Sequence, residues 1–104
     1  MRAYISADIE GVAGVVSPEQ CQAGHSEYEK ARVLMAHEVN AVIEGLLAGG
    51  ASEILVNDSH GQMTNLLPEL IHPAADLILG KPKPMNMACG LEAEHDLFCM
   101  VGHH

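Results

Sequence analysis

Asp8, Glu10, His60 and His104 carry side chains that bind metals well, and each stands just beyond an apolar run of strand type. Ala3-Tyr4-Ile5-Ser6-Ala7 leads into Asp8-Ile9-Glu10-Gly11, and Ile54-Leu55-Val56 leads into Asn57-Asp58-Ser59-His60-Gly61. Leu97-Phe98-Cys99-Met100-Val101 leads into Gly102-His103-His104. In open α/β sheets, ligands bind beyond the carboxyl ends of parallel strands, so three segments remote in sequence can converge there. Carboxylate and imidazole donors suit zinc, and the chemistry such a centre offers is metal-assisted hydrolysis. His104 is the last residue of the chain, and we expect the complete site to draw on a further donor.

Each candidate has a plainer reading beside it. Residues two apart on a continuing strand face the same side, so Asp8 and Glu10 can reach one site. Gly11 and Gly14 let the adjoining backbone approach a ligand closely. A solvated acidic strand end is the competing reading. Against it, a charged pair at the tip of a central strand is costly unless compensated. The Asn57–Gly61 segment reads as a turn in which Asp58 or Ser59 caps the next stretch of chain. That leaves His60 free to face a metal, with a neighbouring Asp as acceptor for its other ring N–H. Side chains of adjacent residues diverge, so only one of His103 and His104 is expected to be a ligand.

Other motifs fail on inspection. His37-Glu38 opens like the HExxH helix of zinc peptidases, but Ala41 stands where the second histidine is required. His25, His72 and His95 read as loop and turn residues. No GxSxG, P-loop or GxGxxG sequence is present, which removes serine-hydrolase, nucleotide-hydrolysing and dinucleotide-binding readings.

The elements that must position these residues are set by pattern. Ser17-Pro18-Glu19-Gln20 predicts a short helix with Ser17 as N-cap, Pro18 at the first helical position and Gln20 closing a capping box. A second start at Ser26-Glu27-Tyr28-Glu29 opens a long amphipathic helix. Its apolar stripe is Ala31, Met35, Val39, Val42, Ile43 and Leu46, and Gly49-Gly50 ends it. Ser52–Asn57 is expected to return as a strand parallel to the first. A broken helical segment at Asn65–Leu70, a strand at Asp76–Gly80, a stiff Lys81-Pro82-Lys83-Pro84 connector and a helical turn over Met85–Leu91 precede the last strand, Leu97–Val101. The order β-α-β-(α)-β-(α)-β is that of an α/β fold with a mostly parallel β-sheet and flanking helices.

Bulk properties narrow the function classes. A chain of 104 residues supports a single domain, 1–104, and 48% hydrophobic residues can fill its core. Aromatics make up only 3%, so that core must rest on aliphatic residues. A formal charge of −9 argues against nucleic-acid binding, because no basic patch is available to release counterions from phosphates. No apolar run approaches the ~20 residues that span a bilayer. Cys21, Cys89 and Cys99 form no CxxC pair and no even framework, and the N-terminus carries no signal-peptide pattern. The expected setting is reducing and cytoplasmic.

Taken together the segments resemble the D-aminopeptidase family of zinc peptidases, the M55 group. The resemblance rests on "YISADIEGVAG", "YEKARVLMAHEVNA", "ILVNDSHGQMTNL", "HPAADLILGKPKPMNM" and "MVGHH", in order and over nearly the whole chain. It implies Asp8 as a ligand bridging two zinc ions, with Glu10, His60 and His104 as further ligands, and no assigned role for His103. It also implies release of N-terminal D-amino acids, such as D-Ala, from short peptides by a ring-built homo-oligomer. Family chains run well beyond the position of His104 and carry there another glutamate ligand and a histidine implicated in catalysis. The resemblance therefore makes this chain the N-terminal portion of a longer metallopeptidase and leaves its catalytic residues unassigned. The competing functions are another metal-dependent amidohydrolase on the same scaffold, or a non-catalytic metal-binding fragment.

Overall fold

The computed structural model describes residues 1–104 and shows an α/β fold. Four strands, β1 (Arg2–Ala7), β2 (Glu53–Asp58), β3 (Ala75–Ile78) and β4 (Leu97–Val101), form one sheet in the order β3-β2-β1-β4. All three pairings are parallel, with Ile5 opposite Val56 on one side and opposite Cys99 on the other. The chain steps outward from β1 through β2 to β3, then returns to place β4 on the far side of β1. That reversal creates a switch point between the carboxyl ends of β1 and β4, where crevices form in open α/β sheets.

One face of the sheet is covered by the single α-helix, α1 (Ser26–Ala48). Tyr28, Ala31, Met35, Ala36, Val39, Ile43 and Leu46 are its buried residues, three or four apart along one face. They pack against Ala3, Ile5, Ala7, Ile54 and Val56, which point to the same side because strand residues alternate. The helix closes where the glycine pair predicts. Gly50 takes a φ of +101°, its N–H donates to the Leu47 carbonyl, and that of Ala51 donates to the Leu46 carbonyl. This is the Schellman arrangement.

The start of α1 corrects the expectation. His25, not Ser26, occupies the N-cap position, and no side chain caps this end. The Pro18–Cys21 segment is a 3₁₀ turn, with Gln20 Oε1 accepting the Ser17 N–H at 2.9 Å. The helical segments expected at Asn65–Leu70 and Met85–Leu91 shrink to 3₁₀ turns at Pro68–Leu70 and Asn86–Ala88.

The second sheet face explains the missing helix. Tyr4 Oη donates to the Cys89 carbonyl at 2.7 Å and Asn57 Nδ2 to the Asn86 carbonyl at 2.8 Å. These buried polar side chains need backbone acceptors. In this loop the Cys89 carbonyl is open to Tyr4, and the Asn86 carbonyl accepts the Asn57 amide in addition to the Cys89 N–H of its own turn. No helix is long and apolar enough to cross a membrane.

Candidate metal centre

The strand order decides what can meet. Because β1 lies between β2 and β4, the residues leaving β1 are flanked by those leaving β2 and β4. Backbone bonds extend this alignment past the strand tips: the Asp8 N–H donates to the Val101 carbonyl and the Ser59 N–H to the Ala7 carbonyl, each at 2.8 Å. Close approach of the loops then depends on glycine. A Cβ on Gly11 would stand 2.5 Å from the Gly102 carbonyl oxygen, and one on Gly102 (φ +68°) would collide with the Asp8 carbonyl.

All four residues expected to bind metal come together at this corner. His60 Nδ1 lies 3.2 Å from Asp8 Oδ1 and 3.1 Å from Glu10 Oε1. On the other side, His104 Nε2 lies 3.8 Å from Asp8 Oδ2 and 3.1 Å from Glu10 Oε1. The donor atoms of Asp8, Glu10 and His104 all fall within 4.8 Å of one another, and His60 joins this set only through its contacts with the two carboxylates. Asp8 is buried, His60 half-buried, and Glu10 and His104 exposed. The two oxygens of Asp8 thus lie nearest different imidazoles, while Glu10 Oε1 approaches both.

The outer contacts fix the orientation of His60. Its Nε2 lies 3.0 Å from the Cys21 carbonyl, so the ring donates there and turns Nδ1 toward the carboxylates. A ligand histidine commonly holds its ring this way. The acceptor is therefore a backbone carbonyl from the Pro18–Cys21 turn and not a neighbouring Asp, as the sequence suggested. Asp58 has another task. Its carboxylate accepts the Asn65 and Leu66 backbone N–H groups at 2.6 and 2.8 Å and the Asn65 side-chain amide at 2.8 Å. It braces the whole loop that carries His60.

The carboxylates also set the local field. Burial, reinforced by the charges of Glu10 and Asp8, pushes the Cys21 thiol above its ordinary range. A cation at the centre would relieve that negative potential. Clefts of about 250 and 190 Å³ open on either side of Cys21, one lined by Glu10 and Val16, the other by His60 and Tyr28. A third, of about 230 Å³, lies at the amino ends of the strands, remote from this chemistry.

Among the other histidines, His37 is exposed on α1. His72 and His95 accept N–H groups from Ala74 and Glu92 within their own turns. Lys83 was not singled out by sequence. Its ammonium donates to Asn57 Oδ1, the Asp58 carbonyl and the Ile78 carbonyl at 2.8, 2.6 and 3.2 Å, tying together the ends of β2 and β3. Burial holds its pKa below the usual lysine value. The only sequence signal for it is a lysine isolated between two prolines beyond a strand.

Comparison with known proteins identifies the family and the fold. The D-aminopeptidase family profile, Peptidase M55, matches residues 1–104. A D-aminopeptidase of Bacillus subtilis (strain 168) is 39% identical over 104 residues, covering 100% of this chain and 38% of the relative. The solved structure of the Zn-dependent D-aminopeptidase DppA from Bacillus subtilis, described as a self-compartmentalizing protease, superposes with a TM-score of 0.98 at 39% identity. This chain is covered in full and that one to 38%. The chain thus spans 38% of the length of the relatives it matches. By the full-length family match and by its fold, the chain belongs to the D-aminopeptidase family of peptidases, M55.

Proposed function

We propose that residues 1–104 form a single α/β domain that contributes the metal-binding part of a zinc-dependent aminopeptidase. Its ligands are Asp8, bridging two ions in the complete site, with Glu10, His60 and His104. The observation that carries this reading is the split of the Asp8 carboxylate, with Oδ1 toward His60 Nδ1 and Oδ2 toward His104 Nε2. Nitrogen and carboxylate oxygen donors match the preference of zinc.

Held by Asp8, Glu10, His60 and His104, the metal would polarise a scissile carbonyl and make a bound water more acidic. The chain's own residues hold the donors in place. The Cys21 carbonyl orients His60, Asp58 fixes its loop, and the Gly11–Gly102 approach brings Glu10 against His104. The relative of known structure is a D-aminopeptidase and a self-compartmentalizing protease. Its likeness supports N-terminal D-residues of short peptides as the substrate class and a homo-oligomer as the working assembly. A cytoplasmic setting fits the three free thiols of Cys21, Cys89 and Cys99.

The test is hydrolysis of paired D-alanyl and L-alanyl amides by the full-length gene product and by residues 1–104, each with zinc supplied. Cleavage of the D-substrate by the longer protein supports the reading. L-selective cleavage, or none, favours a different amidohydrolase. Turnover by residues 1–104 alone contradicts the assignment of this chain as part of a larger catalytic unit.

A further inference from the structure

Behind the four proposed ligands lies a second set of contacts made by their neighbours in sequence. Ser6, two residues before Asp8, places its Oγ 2.7 Å from Ser59 Oγ, and Ser59 immediately precedes His60. The same Ser6 Oγ lies 3.0 Å from Nε2 of His103, which immediately precedes His104. It also donates to the Met87 carbonyl at 2.7 Å. Ser6 and Ser59 are buried and His103 is half-buried. Every strand that delivers a ligand to the centre therefore also delivers one member of this network.

The shortest contacts set the direction of the protons. The Met87 carbonyl accepts only, so the Ser6 hydroxyl proton goes there. Ser6 Oγ is then an acceptor toward both other partners. Ser59 Oγ also reaches the Asn57 carbonyl at 3.3 Å, but its contact with Ser6 Oγ at 2.7 Å is the shorter and takes its hydroxyl proton. His103 then donates from Nε2 to Ser6 Oγ. We propose that His103 is a positioning residue for the metal centre. Its ring is drawn to Ser6 on one side of the β4 exit, and because adjacent side chains diverge, this turns His104 toward Asp8 and Glu10. Ser59 makes the same connection for His60, so the ligand-bearing segments are locked to one hydroxyl. This inference rests on the reading that those four residues hold the metal.

The experiment uses residues 1–104 and measures zinc affinity by competition with a chromophoric chelator. The variants are His103→Leu, His103→Gln and, as control, Asp8→Ala. Glutamine keeps an N–H donor near the position of Nε2, and leucine has none. We expect His103→Leu to weaken zinc binding by about 10–100-fold, His103→Gln to recover most of that loss, and both zinc-free variants to melt alike. Ser6→Ala should reproduce the leucine effect and serves if His103→Leu does not fold. Leucine and glutamine variants of equal zinc affinity would overturn the proposal. So would a parent chain whose ¹⁵N spectrum shows His103 protonated on Nδ1 alone. If the parent binds no zinc, the metal centre itself fails and this inference with it. If the parent binds through Asp8 and is indifferent to position 103, only this inference fails.

Discussion

The Gly11 N–H donates to the Gly102 carbonyl at 2.7 Å, joining the loop after β1 directly to the turn after β4. No other residue type allows these two backbones to come so near. Gly102→Ala would place a methyl group against the Asp8 carbonyl at a φ of +68°. We expect it to cost at least about 1–3 kcal/mol, the usual scale of forced left-handed backbone. Urea unfolding of the variant and parent reads this directly, and zinc affinity should fall with it.

His60 and His104 approach opposite oxygens of Asp8 and share Glu10 Oε1. Removing either ring should therefore cost more than the 10–100-fold typical of outer contacts. Chelator competition on His60→Ala and His104→Ala checks this. His37→Ala, on the exposed face of α1, should bind zinc like the parent.

Asp58 accepts three N–H groups from Asn65 and Leu66 in a buried position. Hydrogen bonds to a charged acceptor contribute about 1.5–3 kcal/mol. Asp58→Asn keeps the shape but loses the charge and one acceptor. A stability loss of about that size is expected by chemical denaturation, with looser zinc binding because the His60 loop is no longer braced.

Much of this arrangement is legible in the sequence. The period of α1 is unbroken from Tyr28 to Leu46, and the strands end in polar clusters because parallel strands deliver their tips to one edge. What pattern cannot show is a crossover held by long-range side-chain bonds. Tyr4 to Cys89 and Asn57 to Asn86, and Asn40 to Leu70 beside Pro68, leave no periodicity, so the segments around Pro68 and Asn86 read as helices when they are loops with single turns. The Cys21 carbonyl that orients His60 is equally silent, since every residue has one. His104 was legible as a ligand. The pull of Ser6 on His103 was not.

Burial pushes the Tyr4 phenol up to about 12 from its ordinary 10. The folded state thus keeps a proton that the unfolded chain begins to release near pH 10. The stability this contributes is complete below about pH 10 and is lost as pH rises through about 12. Denaturation midpoints measured across that window should fall, and Tyr4→Phe should flatten part of the decline.

Zinc content after exhaustive dialysis, measured on parent and Asp8→Ala protein, tests the metal centre most directly. Asp8 is the one buried carboxylate that faces both imidazoles. We expect the parent to retain zinc and Asp8→Ala to lose it while staying folded. Equal zinc in a folded Asp8→Ala variant would contradict the assignment.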